Sequence, residues 1–203
     1  NMALGIASFV HVSGGFAFRQ GSTATATLSD GSEKEVTIMT LGASNVDVFV
    51  GVDGPANSGD ALGIAIENVD FALALLKPTD SSDGSSYYGL KATADSASFV
   101  GIDGFTLAVE SIDVEVNNGT DEQVTDRVID FSAGDLDGDG DTDGTTEIET
   151  GPSSSLALDT STNLISASGT MQLIISDFVH VSGNMAFSQS AGMDVTLVDG
   201  TTK

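Results

Sequence analysis

Apolar and polar residues alternate along most of the chain with a period of two. Met2, Leu4, Ile6, Ser8, Val10, Val12, Gly14, Phe16 and Phe18 fall on one face of an extended backbone. Alternation over that distance predicts a half-buried sheet, because a helix returns its apolar residues every three or four positions. One strand of that length is longer than strands usually run. Ser8 and Gly14 therefore mark places for a bend, bulge or corner. Further on, Leu62, Ile64 and Ile66 give way to Val69, Phe71, Leu73 and Leu75, with the face changing at Asn68. Val100 and Ile102 give way to Phe105, Leu107 and Val109, then to Ile112, Val114 and Val116. These changes of face predict turns or bulges between short strands. No segment has the spacing of an amphipathic helix.

Turn residues predict how the strands connect. Asp30-Gly31 separates Ala24, Ala26 and Leu28 from Val36 and Ile38, a strong hairpin signal. Asn118-Gly119 is read the same way, closing a strand over 112–116, and Asp83-Gly84 as a serine-rich turn. Pro55, Pro78 and Pro152 each stand at the edge of a strand pattern. Tight hairpins join antiparallel strands. The fold class expected is all-β: a mainly antiparallel, sandwich-like unit stacked into a rod or filament. A parallel β-helix is the alternative, and the hairpins argue against it.

The opening pattern returns near the end. Ser8-Phe9-Val10-His11-Val12-Ser13-Gly14 reappears as Asp177-Phe178-Val179-His180-Val181-Ser182-Gly183. Met2, Leu4 and Ile6 return as Met171, Leu173 and Ile175, and Thr27, Leu28, Asp30 and Gly31 as Thr196, Leu197, Asp199 and Gly200. The offset is constant, without a gap. Residues 1–169 read as one repeat unit, with an acidic insertion over 134–155, and residues 170–203 as the start of the next. A tandem array is expected, and arrays serve length or adhesion more often than chemistry. A shorter motif, Phe-Val-x-(Val/Ile)-x-Gly, stands at Phe9, Phe49, Phe99 and Phe178.

Charge narrows the partners. Thirty acidic against six basic residues give a net charge of −24. Nucleic acid and anionic membrane surfaces need clustered Lys and Arg. A divalent cation suits this balance, although acids also serve only to keep an exposed fibre soluble. The chain has no cysteine, which excludes disulfides, thiolate metal sites and a cysteine nucleophile. No apolar run is long enough for a transmembrane helix, and the first residues do not resemble a signal peptide. A targeting signal is expected elsewhere if the chain is an internal piece.

Candidate chemistry concentrates in Asp135-Leu136-Asp137-Gly138-Asp139-Gly140-Asp141-Thr142-Asp143-Gly144. Alternate carboxylates on a tight, glycine-turned loop converge on one hard cation. Asp135, Asp137 and Asp139 open the pattern, Asp141 offers its carbonyl, and Asp143 sits at the ninth position. The twelfth position is Thr146, and Glu147 comes one residue late. The predicted cofactor is calcium, with Asp135, Asp137, Asp139, Asp141, Asp143 and Glu147 as ligands. The competing reading is a solvated acidic loop.

His11 and His180 lie opposite the aliphatic stripe and read as exposed or lateral-packing residues. Phe9, Phe49, Phe99 and Phe178 are placed on that same opposite face, which predicts a second packed layer, the second sheet of a sandwich, with contact with another subunit as the alternative. Asn118-Gly119-Thr120 is also a glycosylation sequon, for which the hairpin is the preferred explanation. No nucleophile elbow or phosphate loop is present. Glu147 and Glu149 lack the aromatic platform expected beside a glycosidase pair. No catalytic residues are assigned, and the chain is not expected to be an enzyme.

The Asp-rich loop resembles the calcium loops of dockerin modules and thrombospondin type 3 repeats, which implies calcium rather than those folds. With the Phe-Val-His-Val-Ser-Gly repeat and the strand pattern, the chain resembles tandem repeats of giant bacterial surface or secreted proteins of the adhesin-like class. That resemblance implies an extracellular or cell-surface location and a structural or adhesive role. The expected partners are neighbouring copies of the same repeat. Two functions follow. A structural repeat of a fibre or surface layer requires contact between successive units. An adhesive module binding a glycan or cell surface requires a concave site, expected on loops 79–88 or 134–155.

Overall fold

The computed structural model describes residues 2–6 (as backbone), 9–138, 140, 144–176 and 178–192. It is all-β, with no helix among the described residues. The strands are β1 (Met2–Ile6), β2 (Val10–Thr27), β3 (Glu33–Val52), β4 (Leu62–Pro78), β5 (Ser86–Val100), β6 (Phe105–Thr120), β7 (Thr146–Gly151), β8 (Ser154–Leu158), β9 (Leu164–Ile175) and β10 (Val179–Ser190). Eight form one sheet in the order β1-β2-β3-β4-β5-β6-β9-β10, and β7 pairs with β8 in a separate ribbon. Every pairing in both is antiparallel.

The strands are longer than the pattern alone suggested, because several changes of face are bulges rather than turns. In β4 the switch at Asn68 is one residue in left-handed conformation (φ 52°) inside a continuous strand. Asn45 in β3 (φ 51°) and Ser111 in β6 (φ 52°) do the same. One extra residue per bulge restores the phase, so the same apolar face continues beyond it. Cross-strand registers show it: Phe16, Ala43, Phe71, Ala92 and Val114 form one row, and Val10, Val50, Ile64 and Phe99 another. Asp47 and Asp70 hold the two Asn bulges reciprocally. The Asn68 amide donates to Asp47 at 3.0 Å, and the Asn45 amide to Asp70 at 2.7 Å.

Other sequence expectations change. Ser8 and Asp177 lie outside the described residues, but around both the chain reverses into a hairpin rather than bending. Asn118-Gly119 is not a turn; both residues lie in β6, paired with Tyr88 and Tyr87. The predicted 112–116 strand is the middle of β6. Asp30-Gly31 does turn β2 into β3, with Gly31 at φ 80°. Residues 134–155 are not loop throughout, since β7 and the start of β8 fall within them.

The main core lies on one side of one half of the sheet. Ala26, Val36, Ile38, Ala74, Leu76 and Tyr87 face a cap made of segment 127–136 and the β7–β8 ribbon, which contribute Ile129, Phe131, Leu136, Ile148 and Leu158. Small residues allow the close approach. A Cβ on Gly89 would stand 2.5 Å from the Phe131 ring, and one on Gly42 would collide with the Glu149 carbonyl of β7. This half is a two-layer sandwich, in line with the expected class.

At the other half only Phe49 of the repeated phenylalanines gains a cover. It packs with Ala61 and Ala65 beneath loop 53–61, so the covering layer there is a loop and not a second sheet. Phe99 sits on the opposite, aliphatic face beside Ile64, against expectation. Phe9 and Phe178 are exposed at the hairpins.

Candidate functional site

The acidic loop is anchored at both ends by its own carboxylates. Asp135 accepts the Gly138 amide at 2.8 Å, closing a turn whose glycine has φ 79°. Asp137 accepts the Glu147 amide at 2.6 Å, which ties the loop to the first residues of β7. Gly140 (φ 93°) and Gly144 (φ 91°) supply two further left-handed turns that most side chains resist. The carbonyl of Asp137 accepts the Arg19 guanidinium of β2 at 3.0 Å, so the loop is docked onto the main sheet. Asp139, Asp141 and Asp143 lie outside the described residues. Glu147 points across the ribbon, where its carboxylate accepts the Ser155 hydroxyl of β8. Among the described residues no group of three or more His, Asp or Glu side chains gathers as a metal cluster. The described part of the loop thus has tight glycine turns closed by its own carboxylates. Asp135, Asp137 and Glu147 each accept a hydrogen bond from within the loop and the ribbon.

Beside the loop, the cap is clamped by an ion network that no local motif foretold. The Asp121 carboxylate is fully buried and is held by the Arg127 guanidinium through two bonds of 2.9 Å. Arg127 reaches on to Asp30 at 3.1 Å. The Tyr87 hydroxyl donates to Asp121, and Lys34 joins Asp83 at 2.8 Å and Asp121 at 3.4 Å. Burial alone would raise the Asp121 carboxyl. Arg127, Tyr87 and the Gln123 and Val124 amides outweigh it and hold it well below the usual carboxylate range. Lys34, through its hydrogen bond, brings the Asp83 carboxyl down to about 2. Burial would lower the Lys34 ammonium, but its bonds to Asp83 and Tyr87 reverse that shift upward. Two of the chain's six bases are thus spent on holding the cap.

A groove of about 600 Å³ opens at the other half of the sheet, between β2–β5 and residues 55–57. Its polar lining is His11, Ser13, Asp47, Asn57 and Glu67. His11 rests on Phe49 with ring centroids 6.1 Å apart, and its buried Nε2 has no hydrogen-bond partner. Asp47 is committed to the Asn68 amide and Glu67 to the Ser96 hydroxyl at 3.1 Å. The sequence placed a concave site on loops 79–88 or 134–155, neither of which lines this groove. His11 was visible as a repeated residue. Its pairing with Phe49 and its nearness to Asp47 are cross-strand facts that spacing along one chain does not carry. His180, its copy, is exposed.

No helix among the described residues is long and apolar enough to cross a membrane. No protein family, curated protein or solved structure matches the chain.

Proposed function

We propose that the chain is a structural repeat of an extracellular fibre, filament or surface layer, stiffened by calcium at the acidic loop and by contact between successive repeats. It has no catalytic role in this reading. One observation carries it: the sequence repeat is also a repeat of strand register. Met2 pairs with Gly14 and Ile6 with Val10; Met171 pairs with Gly183 and Ile175 with Val179. The same hairpin therefore stands at both edges of one sheet.

Calcium is proposed at Asp135 and Asp137, with Asp139, Asp141 and Asp143 completing the set. Bound there, the ion would offset part of the loop's negative charge and fix it between the Arg19 contact and β7. Electron micrographs of the native material, with and without a chelator, test the proposal. Filaments that soften or fragment on chelation are expected. Discrete monomers in calcium would sink the fibre. An unchanged melting temperature on chelation would sink the calcium site.

The groove at His11 favours a second reading, an adhesive module that binds a glycan. Saturable glycan binding that is lost in Asn57→Ala would support it. Binding unaffected by that substitution would rule out the groove as the site.

A further inference from the structure

The two equivalent hairpins differ in what lies beyond them. The outer edge of β2 is paired along its length with β3, from Val10↔Val50 to Thr27↔Glu33. The outer edge of β10 has no strand against it among the described residues, and every β10 position is exposed. Yet Val179 to Gly183 repeats Val10 to Gly14 residue for residue. We propose that β10 is a joint, and that its open edge receives β3 of the next copy of this repeat in the register that β3 makes with β2. The inference rests on reading the chain as a repeating structural unit, and it names the surface by which the units join.

Gly183 is the sharpest reason. Its counterpart Gly14 is obligatory inside the unit, because a Cβ there would stand 2.5 Å from Val46 Cγ2 and 2.8 Å from the Val46 backbone. At Gly183 a Cβ would meet nothing within 4 Å. Glycine in a strand costs conformational entropy and contributes no packing, so nothing in its own unit accounts for it. The Val46 bulge of an incoming β3 would need that space.

The edge itself gives a second reason. Sheet edges are normally blunted by a charge, a proline or an inward twist. β10 reads Val-His-Val-Ser-Gly-Asn-Met-Ala-Phe-Ser-Gln-Ser, with no charged residue and no proline. An edge so unprotected suits one that is paired in the assembled protein.

The far side of the sheet agrees. β1 pairs with β2 in the register in which β9 pairs with β10, so β1 stands where β9 of a preceding copy would. Inside the unit, Ile175 to Thr170 of β9 pair on their other edge with Phe105 to Glu110 of β6. A preceding β6 would meet β1 in that same way. Copies joined at both edges would form one uninterrupted sheet, each repeat adding six strands, or about 29 Å at the usual strand spacing.

A two-unit chain tests the joint: residues 1–203 followed in phase by residues 35–203. The protein has no cysteine, so introduced pairs are unambiguous. Val12 pairs with Val48 inside the unit, and the joint predicts Val181 of the first unit opposite Val48 of the second. Val181→Cys with Val48→Cys should form a disulfide under mild oxidation. Val181→Cys with Phe49→Cys, one residue out of register and on the opposite face, should not. The His180 and Ser182 amides should exchange at least about a hundredfold more slowly in the two-unit chain than in the single chain.

Gly183→Val provides the control for folding. It should leave the melting temperature of the single chain unchanged and abolish the crosslink in the two-unit chain, whereas Gly14→Val should destabilise the single chain. A missing in-register crosslink, equal crosslinking of both pairs, or an undisturbed crosslink in Gly183→Val would overturn the joint. Filaments without this crosslink would overturn the joint and leave the structural role standing. The crosslink without filaments would do the reverse.

Discussion

The same four strands, β2 to β5, pass through two different environments. At one half they lie under the cap, where Ala26, Ala72, Ala74 and Leu76 are buried and segment 127–136 packs down on them. At the other half, on the face opposite Phe49, they carry bigger side chains into solvent: Val50, Val52, Leu62, Ile64 and Phe99 are all exposed, and that face stays open behind the cap at Met39 and Leu75. Backbone pairing is continuous across both halves. Strand ladders therefore do not require the cap, and the cap adds a packed core to one end only.

The largest effect separates the halves most clearly. Phe131 is fully buried against Gly89, so Phe131→Ala should cost about 3–5 kcal/mol through lost burial and a cavity. Phe99 is 40% exposed on the open face, and Phe99→Ala should cost less than about 1 kcal/mol. Urea unfolding of both variants measures the contrast. Equal losses would mean that the open face is covered in solution.

The second effect concerns the clamp. Asp121→Asn removes the charge from a buried pair and leaves the Arg127 guanidinium poorly matched, at a cost of about 3 kcal/mol at neutral pH. The pH dependence follows from the lowered carboxyls. Unfolded, they titrate near pH 4; folded, Asp30 is brought down to about 2, first by the Ser32 hydroxyl, and Asp83 to about 2 by Lys34. Their stabilisation is therefore complete above about pH 4 and fades as the pH falls towards 2. The melting temperature of the parent chain should fall through that window. In Asp121→Asn the fall should be shallower, because one of the lowered carboxyls is gone. An identical slope would place the clamp's contribution elsewhere.

Most of the sheet was legible because alternation is a local property. Asp30-Gly31 gave the β2–β3 turn, and the constant offset gave the equivalence of the two ends, although the β1–β2 and β9–β10 hairpins read as bends in one long strand. What misled were signals with two meanings. Asn-Gly at 118–119 marks a turn in most settings, but here Gly119 is required by the Ser86 carbonyl and the Tyr87 ring beside it. A change of face at Asn68 reads equally as turn or bulge until the partner strand is known. The clamp was not legible at all. Asp30 and Lys34 come from the β2–β3 hairpin, Asp83 from the turn between β4 and β5, and Asp121 and Arg127 from the segment after β6, and nothing in sequence spacing unites these three places. The acidic loop was the opposite case, since its composition suggested a cation while its described carboxylates, Asp135 and Asp137, hold backbone amides.

The smallest effect belongs to the open half, where no core masks it. Asp47 and Asp70 each accept one amide from the bulge on the neighbouring strand, and the two bonds cross. Hydrogen bonds to charged groups at partly exposed positions contribute on the order of 1 kcal/mol each. Asp47→Ala and Asp70→Ala should each destabilise by about that much. Because both bulges fix the same local twist, the double variant should lose less than the sum of the singles. Once one bulge relaxes, the other bond is already weakened. Amide exchange at Asn45 and Asn68 should accelerate in either single variant, while exchange in the capped half stays unchanged. Additive losses would show that each bulge is held independently. Faster exchange under the cap would show that the two halves unfold as one, and that the contrast between them is one of covering alone.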